Sequence, residues 1–248
     1  MPFAAIGRAS ALASYYAPAF ATDEPVLGLS AVPMLAATFD EAEVLLRIAR
    51  PAYAAALARH GQILLATEPW RPAALWSTFR LRSAGDLRGT RFALDATSYA
   101  GAGWAELFAR LGAERAAYTE AEVVLSGGYI PSEVLAREFA CVTEVFFAQQ
   151  LTFLTANREM VEALTGAQRE ALVAVGREIE ADLWRRIRAF VRRDQQEVAH
   201  RGVLVSEPPA DVLPALRKAA EPDVRRWTDA MGAEGGAILA NYRRAIGF

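Results

Sequence analysis

The chain has 248 residues, 53% of them hydrophobic, and a formal net charge of −2. This length suits one large domain or two modest lobes, and the apolar content excludes a disordered chain. Without a basic excess there is no electrostatic footprint for sequence-independent nucleic-acid binding. Cys141 is the single cysteine, which excludes an intrachain disulfide. The two histidines, His60 and His200, are far apart in sequence and do not suggest a His-rich metal centre. No apolar run reaches the roughly 20 residues of a membrane-spanning helix.

The N-terminus has a faint leader-like look, with small residues before Thr22. Arg8 interrupts its apolar stretch, however, and Ser14-Tyr15-Tyr16 makes a poor hydrophobic centre. Pro25 and Pro33 punctuate loops. Asp40 reads as a helix N-cap with Glu43 three residues on, and Val44, Leu45 and Ile48 share one side of that helix. Pro51 breaks it or begins the next, an alanine-rich helix over 52–59 that stops at Gly61. A buried strand follows over 62–66. Pro69 and Pro72 bracket a loop holding Trp70, and alternation predicts a strand over 76–81.

The turn Asp86-Leu87-Arg88-Gly89 launches a strand over 91–94, and a helix over 100–111 ends at Gly112. Beyond Ser126-Gly127-Gly128 come a helix near 131–139, an apolar segment over 141–154, and Thr155-Ala156-Asn157. The longest element covers 165–201, where Leu172, Val175, Ile179, Leu183, Ile187 and Val191 recur at helical spacing. Such a helix is about 50 Å long, enough to brace two lobes. A strand over 203–206, a helix from Asp211 and one or two helices over 227–242 complete the chain. Alternation of strands and helices predicts an α/β sheet layered with helices.

Landmarks along the chain fall in a telling order. They are Pro33-Met34-Leu35, Gly61 with its following strand, Asp86-Leu87-Arg88-Gly89-Thr90-Arg91, and Leu111-Gly112-Ala113. Leu154-Thr155-Ala156-Asn157, Leu164-Thr165 before the long helix, and Trp227 with the glycine-rich tail over 232–243 follow. This order resembles the TRAP-type (tripartite ATP-independent periplasmic) solute-binding receptors, the DctP-like family, over nearly the whole chain. The resemblance implies a two-lobed, periplasmic-binding-protein-like α/β fold with a long lobe-spanning helix. Residues 1–77 with 158–248 would form the first lobe with the spanning helix, and 78–157 the second. The family's opening strand–helix–strand unit has no counterpart here, so the first lobe is expected to be incomplete.

Function by this resemblance is reception, not catalysis: a small organic acid held between the lobes and delivered to TRAP membrane permease subunits from the periplasm. No cofactor, metal, nucleic acid or membrane insertion is implied. The family places a carboxylate-gripping arginine where this chain has Ala93, and the region after Val123-Val124-Leu125 is shortened. A receptor that is degenerate or truncated and binds nothing is the alternative.

The candidate ligand residues are Trp70, Arg71, Trp76, Tyr99, Ser126 and Asn157. Trp70, Trp76 and Tyr99 offer rigid apolar walls with a polar handle. Arg71, like Arg80, could replace the missing arginine or be solvated surface. Asn157 could contact ligand or cap the helix after it. Ser126-Gly127-Gly128 could offer backbone N–H groups to an anion or simply turn the chain. Gly101-Ala102-Gly103 lacks the third glycine of a nucleotide loop, and no G-x-S-x-G, H-E-x-x-H or Walker lysine occurs. An unrelated enzyme would need Glu120 or Glu122 buried beside a perturbed partner.

Overall fold

The computed structural model describes Phe3, Ala5, Ile6 and residues 10–95, 101–127 and 130–247. Strand β1 (Leu12–Tyr16) leads through two 3-10 turns to helix α1 (Phe39–Arg59). Thr38, not Asp40, is the N-cap, because its hydroxyl accepts from the Glu41 amide at 3.1 Å. Pro51 does not divide the helix. Ala49, Ala52, Tyr53, Ala56 and Leu57 continue one buried face through it, and that burial outweighs the lost backbone bond.

Strand β2 (Gln62–Pro69) runs three residues beyond the expected strand, and β3 (Ala74–Ser77) begins and ends early. The Ser77 hydroxyl donates to the Phe79 carbonyl at 2.6 Å and turns the chain out of the strand. Next come β4 (Arg91–Leu94), α2 (Gly101–Arg110), β5 (Glu114–Arg115), β6 (Val123–Ser126), α3 (Ser132–Glu138) and β7 (Cys141–Thr143). Strand β8 (Leu151–Asn157) is followed by the short α4 (Arg158–Glu162) and the long α5 (Gly166–His200), which Thr165 and Gln168 open with a capping box. Strand β9 (Leu204–Ser206), α6 (Val212–Met231) and α7 (Ala233–Ile246) close the chain.

The strands form two sheets. The smaller has the antiparallel order β1-β8-β2; the larger has the order β5-β4-β6-β3-β7-β9. In the larger sheet β5, β4 and β6 are parallel, β3 is antiparallel to both its neighbours, and β9 is parallel to β7. The architecture is a two-lobed α/β fold. One core packs α1, α7 and the 3-10 turns on the small sheet, and others pack α2, α3 and the start of α6 on the large sheet.

Two helices serve both lobes. Helix α5 sets Gly176 against Leu65 of β2 and Val198 into the core beside Trp76 and Val142. Helix α6 contributes Leu216 and Ala220 to the large-sheet core and Trp227 to the small-sheet core. No described helix is long and apolar enough to cross a membrane.

Candidate ligand-binding cleft

Parallel strands offer ligands the crevice beyond their carboxyl ends. Here β4 and β6 end side by side at Leu94 and Ser126, and the chain carries straight on into Asp95 and Gly127. Asp95 is 3% exposed; its Oδ2 accepts from the Ser126 hydroxyl at 3.0 Å and the Gly127 amide at 3.3 Å.

The small sheet presents its own end to this point. Trp70 follows β2, Gln149 and Gln150 precede β8, and Tyr16 ends β1. The Trp70 backbone amide donates to the Gln150 carbonyl at 2.9 Å, and its indole donates to the Thr152 hydroxyl at 2.8 Å. The Tyr16 and Trp70 rings lie 5.2 Å apart. Burial, and behind it the charge of Asp95, push the Tyr16 phenol well above its ordinary value. The tips of the two sheets therefore sit close enough for a residue of one to feel a charge on the other. Gly127 is one point of approach: a Cβ there would lie 3.3 Å from the Gln150 side-chain oxygen.

A cavity of about 390 Å³ opens from this junction. The end of β2 forms one wall, Gly127 and the start of α3 another, and Ile187, Phe190 and Asp194 of α5 a third. Arg71 stands between this cavity and a second one of about 640 Å³ on the other side of the crossing segments. Its guanidinium donates to Asp194 at 2.6 Å, to the Ser132 hydroxyl, and to the Ile130 carbonyl at 3.4 Å.

This arrangement, two sheets with crossing segments and a shared long helix, recurs in known structures. An extracytoplasmic solute receptor of Bordetella pertussis that binds pyroglutamic acid superposes with a TM-score of 0.79 at 22% identity, over 96% of this chain and 82% of that one. The periplasmic ectoine-binding protein of the TeaABC TRAP transporter of Halomonas elongata gives 0.75 at 14%, over 96% and 82%. A TRAP periplasmic solute-binding protein of Ralstonia eutropha with bound (S)-2-acetolactate gives 0.74 at 17%, over 98% and 82%.

The chain has the fold of the TRAP-type solute receptors. No family model and no curated protein sequence matches it.

Within this receptor fold, the residues singled out from sequence separate into groups. Trp70 and Arg71 line the smaller cavity, and Ser126 is buried beside Gly127 of its wall with its hydroxyl on Asp95. Trp76 is 3% exposed in the large-sheet core and reaches only the second cavity. Asn157 lies at the opposite end of β8, paired with Gln62, and its side chain accepts from the Met160 amide at 3.1 Å as the cap of α4. Tyr99 lies outside the described residues. Ala93 is buried on β4, and Glu120 and Glu122 are at the surface. Sequence reasoning missed Asp95, Gln149, Gln150 and Thr152. Their one signal was polarity out of place: an aspartate ending a strand, and a glutamine pair inside an apolar segment.

Proposed function

We propose that this chain is the extracytoplasmic solute receptor of a TRAP-type transporter, closing two lobes around a small organic solute and presenting the closed form to a membrane permease. The observation that carries this reading is the polar junction of buried Asp95, Ser126 and Gln150 with half-buried Tyr16 and Trp70, drawn from the ends of two separate sheets. A ligand bound there touches both lobes at once, so it stabilises the closed arrangement over the open one by its contacts to the second lobe. Periplasmic placement follows from this role. An organic acid, the class that the resemblance implies, would share the Arg71 guanidinium with Asp194 or displace that partner.

The test is a thermal-shift screen of the full chain against small carboxylates, amino acids, sugar acids and neutral controls. Ligand at 100 times its Kd stabilises the folded state by about 2.7 kcal/mol. A response confined to one chemical class, with a matching contraction in small-angle scattering, is the expected result. The buried Ala93 in place of an arginine favours one rival, a receptor that has lost its ligand. Under that rival a well-folded protein gives no response to any class.

A further inference from the structure

The core of the small lobe holds two polar side chains that no protein group satisfies. Ser30, on the 3-10 turn Pro25–Ala31, is 7% exposed, and Gln149, two residues before β8, is 6% exposed. The Ser30 hydroxyl and the Gln149 side-chain oxygen are both buried without a hydrogen-bond partner among the described residues. Buried polar atoms left in this condition are costly, and native proteins satisfy them. The Gln149 amide is engaged at its other end, where the nitrogen donates to the Trp70 carbonyl at 2.5 Å. That bond leaves the oxygen as the end that requires a donor.

An independent observation joins the two groups. Ser30 and Gln149 line the same small cavity, of about 20 Å³. Apolar side chains supply most of its remaining wall, among them Leu46 of α1, Leu151 of β8 and Trp184 of α5. None of its lining residues is charged, so it offers nothing to an ion. A water molecule needs about 10–15 Å³ and at least two polar partners, whereas purely apolar cavities stay dry. This cavity meets both conditions for water, and it is too small for an organic solute.

We infer that this cavity binds a single structural water, which accepts from the Ser30 hydroxyl, donates to the Gln149 oxygen and so holds the Gln149 amide against Trp70. The water is bound where a 3-10 turn, α1, the entry to β8 and the shared helix α5 meet. The chain of contacts runs from Ser30 through the water to Gln149, and from Gln149 to the Trp70 carbonyl. Trp70 lines the 390 Å³ cavity, so the water ties a wall of the cleft to the core behind it. Gln149 and Ser30 are then positioning residues for Trp70, acting at its backbone and not on a solute.

The experiment is a high-resolution crystal structure of the full chain, with amide hydrogen exchange followed by NMR in the unaltered protein and in Ser30→Ala. The expected result is a water about 2.7–3.2 Å from both the Ser30 hydroxyl and the Gln149 oxygen. The Trp70 amide, which donates to the Gln150 carbonyl at 2.9 Å, reports on the second half of the inference. In Ser30→Ala it is expected to exchange about threefold faster or more, while amides in the middle of α1 keep their rates. Gln149→Met, which keeps the side chain's length but loses both polar ends, sets the scale of the effect at Trp70. A dry cavity, or a Ser30 hydroxyl bonded directly to Gln149, overturns the inference. A bound water with unchanged Trp70 exchange in Ser30→Ala overturns the link to the cleft. Both results leave the receptor reading intact.

Discussion

Gly127 and Glu24 show how single side chains, or the lack of one, act at opposite ends of the small sheet. Gly127 sits at the junction of the two sheets, and an added methyl would crowd the Gln150 oxygen at 3.3 Å while meeting Ala73 in ordinary contact at 3.8 Å. Gly127→Ala is therefore expected to weaken solute binding by about tenfold, the scale on which about 1.4 kcal/mol of misfit acts, while the melting temperature of the ligand-free protein stays within a few degrees. Titration calorimetry beside a thermal melt checks this. Glu24 is 7% exposed, bonded by Arg59 at 3.0 Å and beside His60 at 2.9 Å. The Arg59 hydrogen bond, opposed by burial and helped by His60, holds its carboxyl below the usual range. A carboxyl lowered on folding stabilises above its unfolded value, and that stability is lost as pH falls through the folded value. Glu24→Gln is expected to lower the melting temperature at pH 7 and to flatten its decline on the acid side, read by thermal melts from pH 3 to 7. None of this was legible in sequence. Glu24 and Arg59 are 35 residues apart, and a glycine in a Ser-Gly-Gly run looks like any turn.

At the scale of elements, the long helix was legible in length and in its start at Thr165, but not in which face packs. The apolar stripe predicts burial of Val175 and Ile179, yet these are 49% and 40% exposed. The packed face is instead defined by Gly176, Glu180 and Trp184. Strand β2 is the edge of its sheet, and the helix covers that edge. Glu180 accepts from the Thr67 amide at 2.6 Å and pairs with Arg50 at 2.6 Å, while Gly176 lets the helix approach the Leu65 carbonyl. Covering an edge in this way removes a template for aggregation. A carboxylate satisfying a strand amide leaves no periodic trace, which is why hydrophobic spacing misled. A Cβ at 176 would stand 2.6 Å from the Leu65 oxygen, and that atom is backbone. Gly176→Ala is thus expected to cost about 1–3 kcal/mol despite the better helix propensity of alanine, measured by urea unfolding. Asn157 makes the complementary case. As the cap of α4, Asn157→Ala is expected to cost about 0.5–2 kcal/mol and to leave solute affinity unchanged.

On the scale of the whole molecule, the proposed receptor function depends on how the lobes are tied together. Of the described non-glycine residues with positive φ, Phe146 lies in the crossing from β7 of the large sheet to β8 of the small one, while Met34 lies between β1 and α1 and packs into a large-sheet core; the Met34 amide donates to the Phe147 carbonyl at 2.7 Å. Backbone held in sparsely populated conformations needs surrounding structure to keep it there, and this hydrogen bond ties the two segments together. Arg71 is the centre of that bracing. It lies in the crossing between β2 and β3, and its guanidinium joins Ser132 at the start of α3 to Asp194 on α5. Its side chain is 13% exposed and that of Asp194 22%, so the pair is only lightly screened. The sequence marked Arg71 as a ligand candidate because it could stand in for the arginine that Ala93 replaces, but its partner is 123 residues away and could not be read. If Arg71 braces the lobes, Arg71→Ala leaves Asp194 part-buried without its cation, which is expected to cost about 1–3 kcal/mol, and it leaves the 2.7 Å hydrogen bond from the Ser132 hydroxyl to Asp194 to tie the start of α3 to the long helix without the guanidinium. The ligand-free protein should then expand in small-angle scattering, while saturating solute restores the compact form at a higher Kd. The double variant Arg71→Ala/Asp194→Ala should recover part of the stability, since it removes the stranded carboxylate, without recovering the affinity. An Arg71→Ala protein that stays compact and stable but no longer binds solute would instead make this arginine a direct ligand contact, with the Asp194 pair giving way when solute enters.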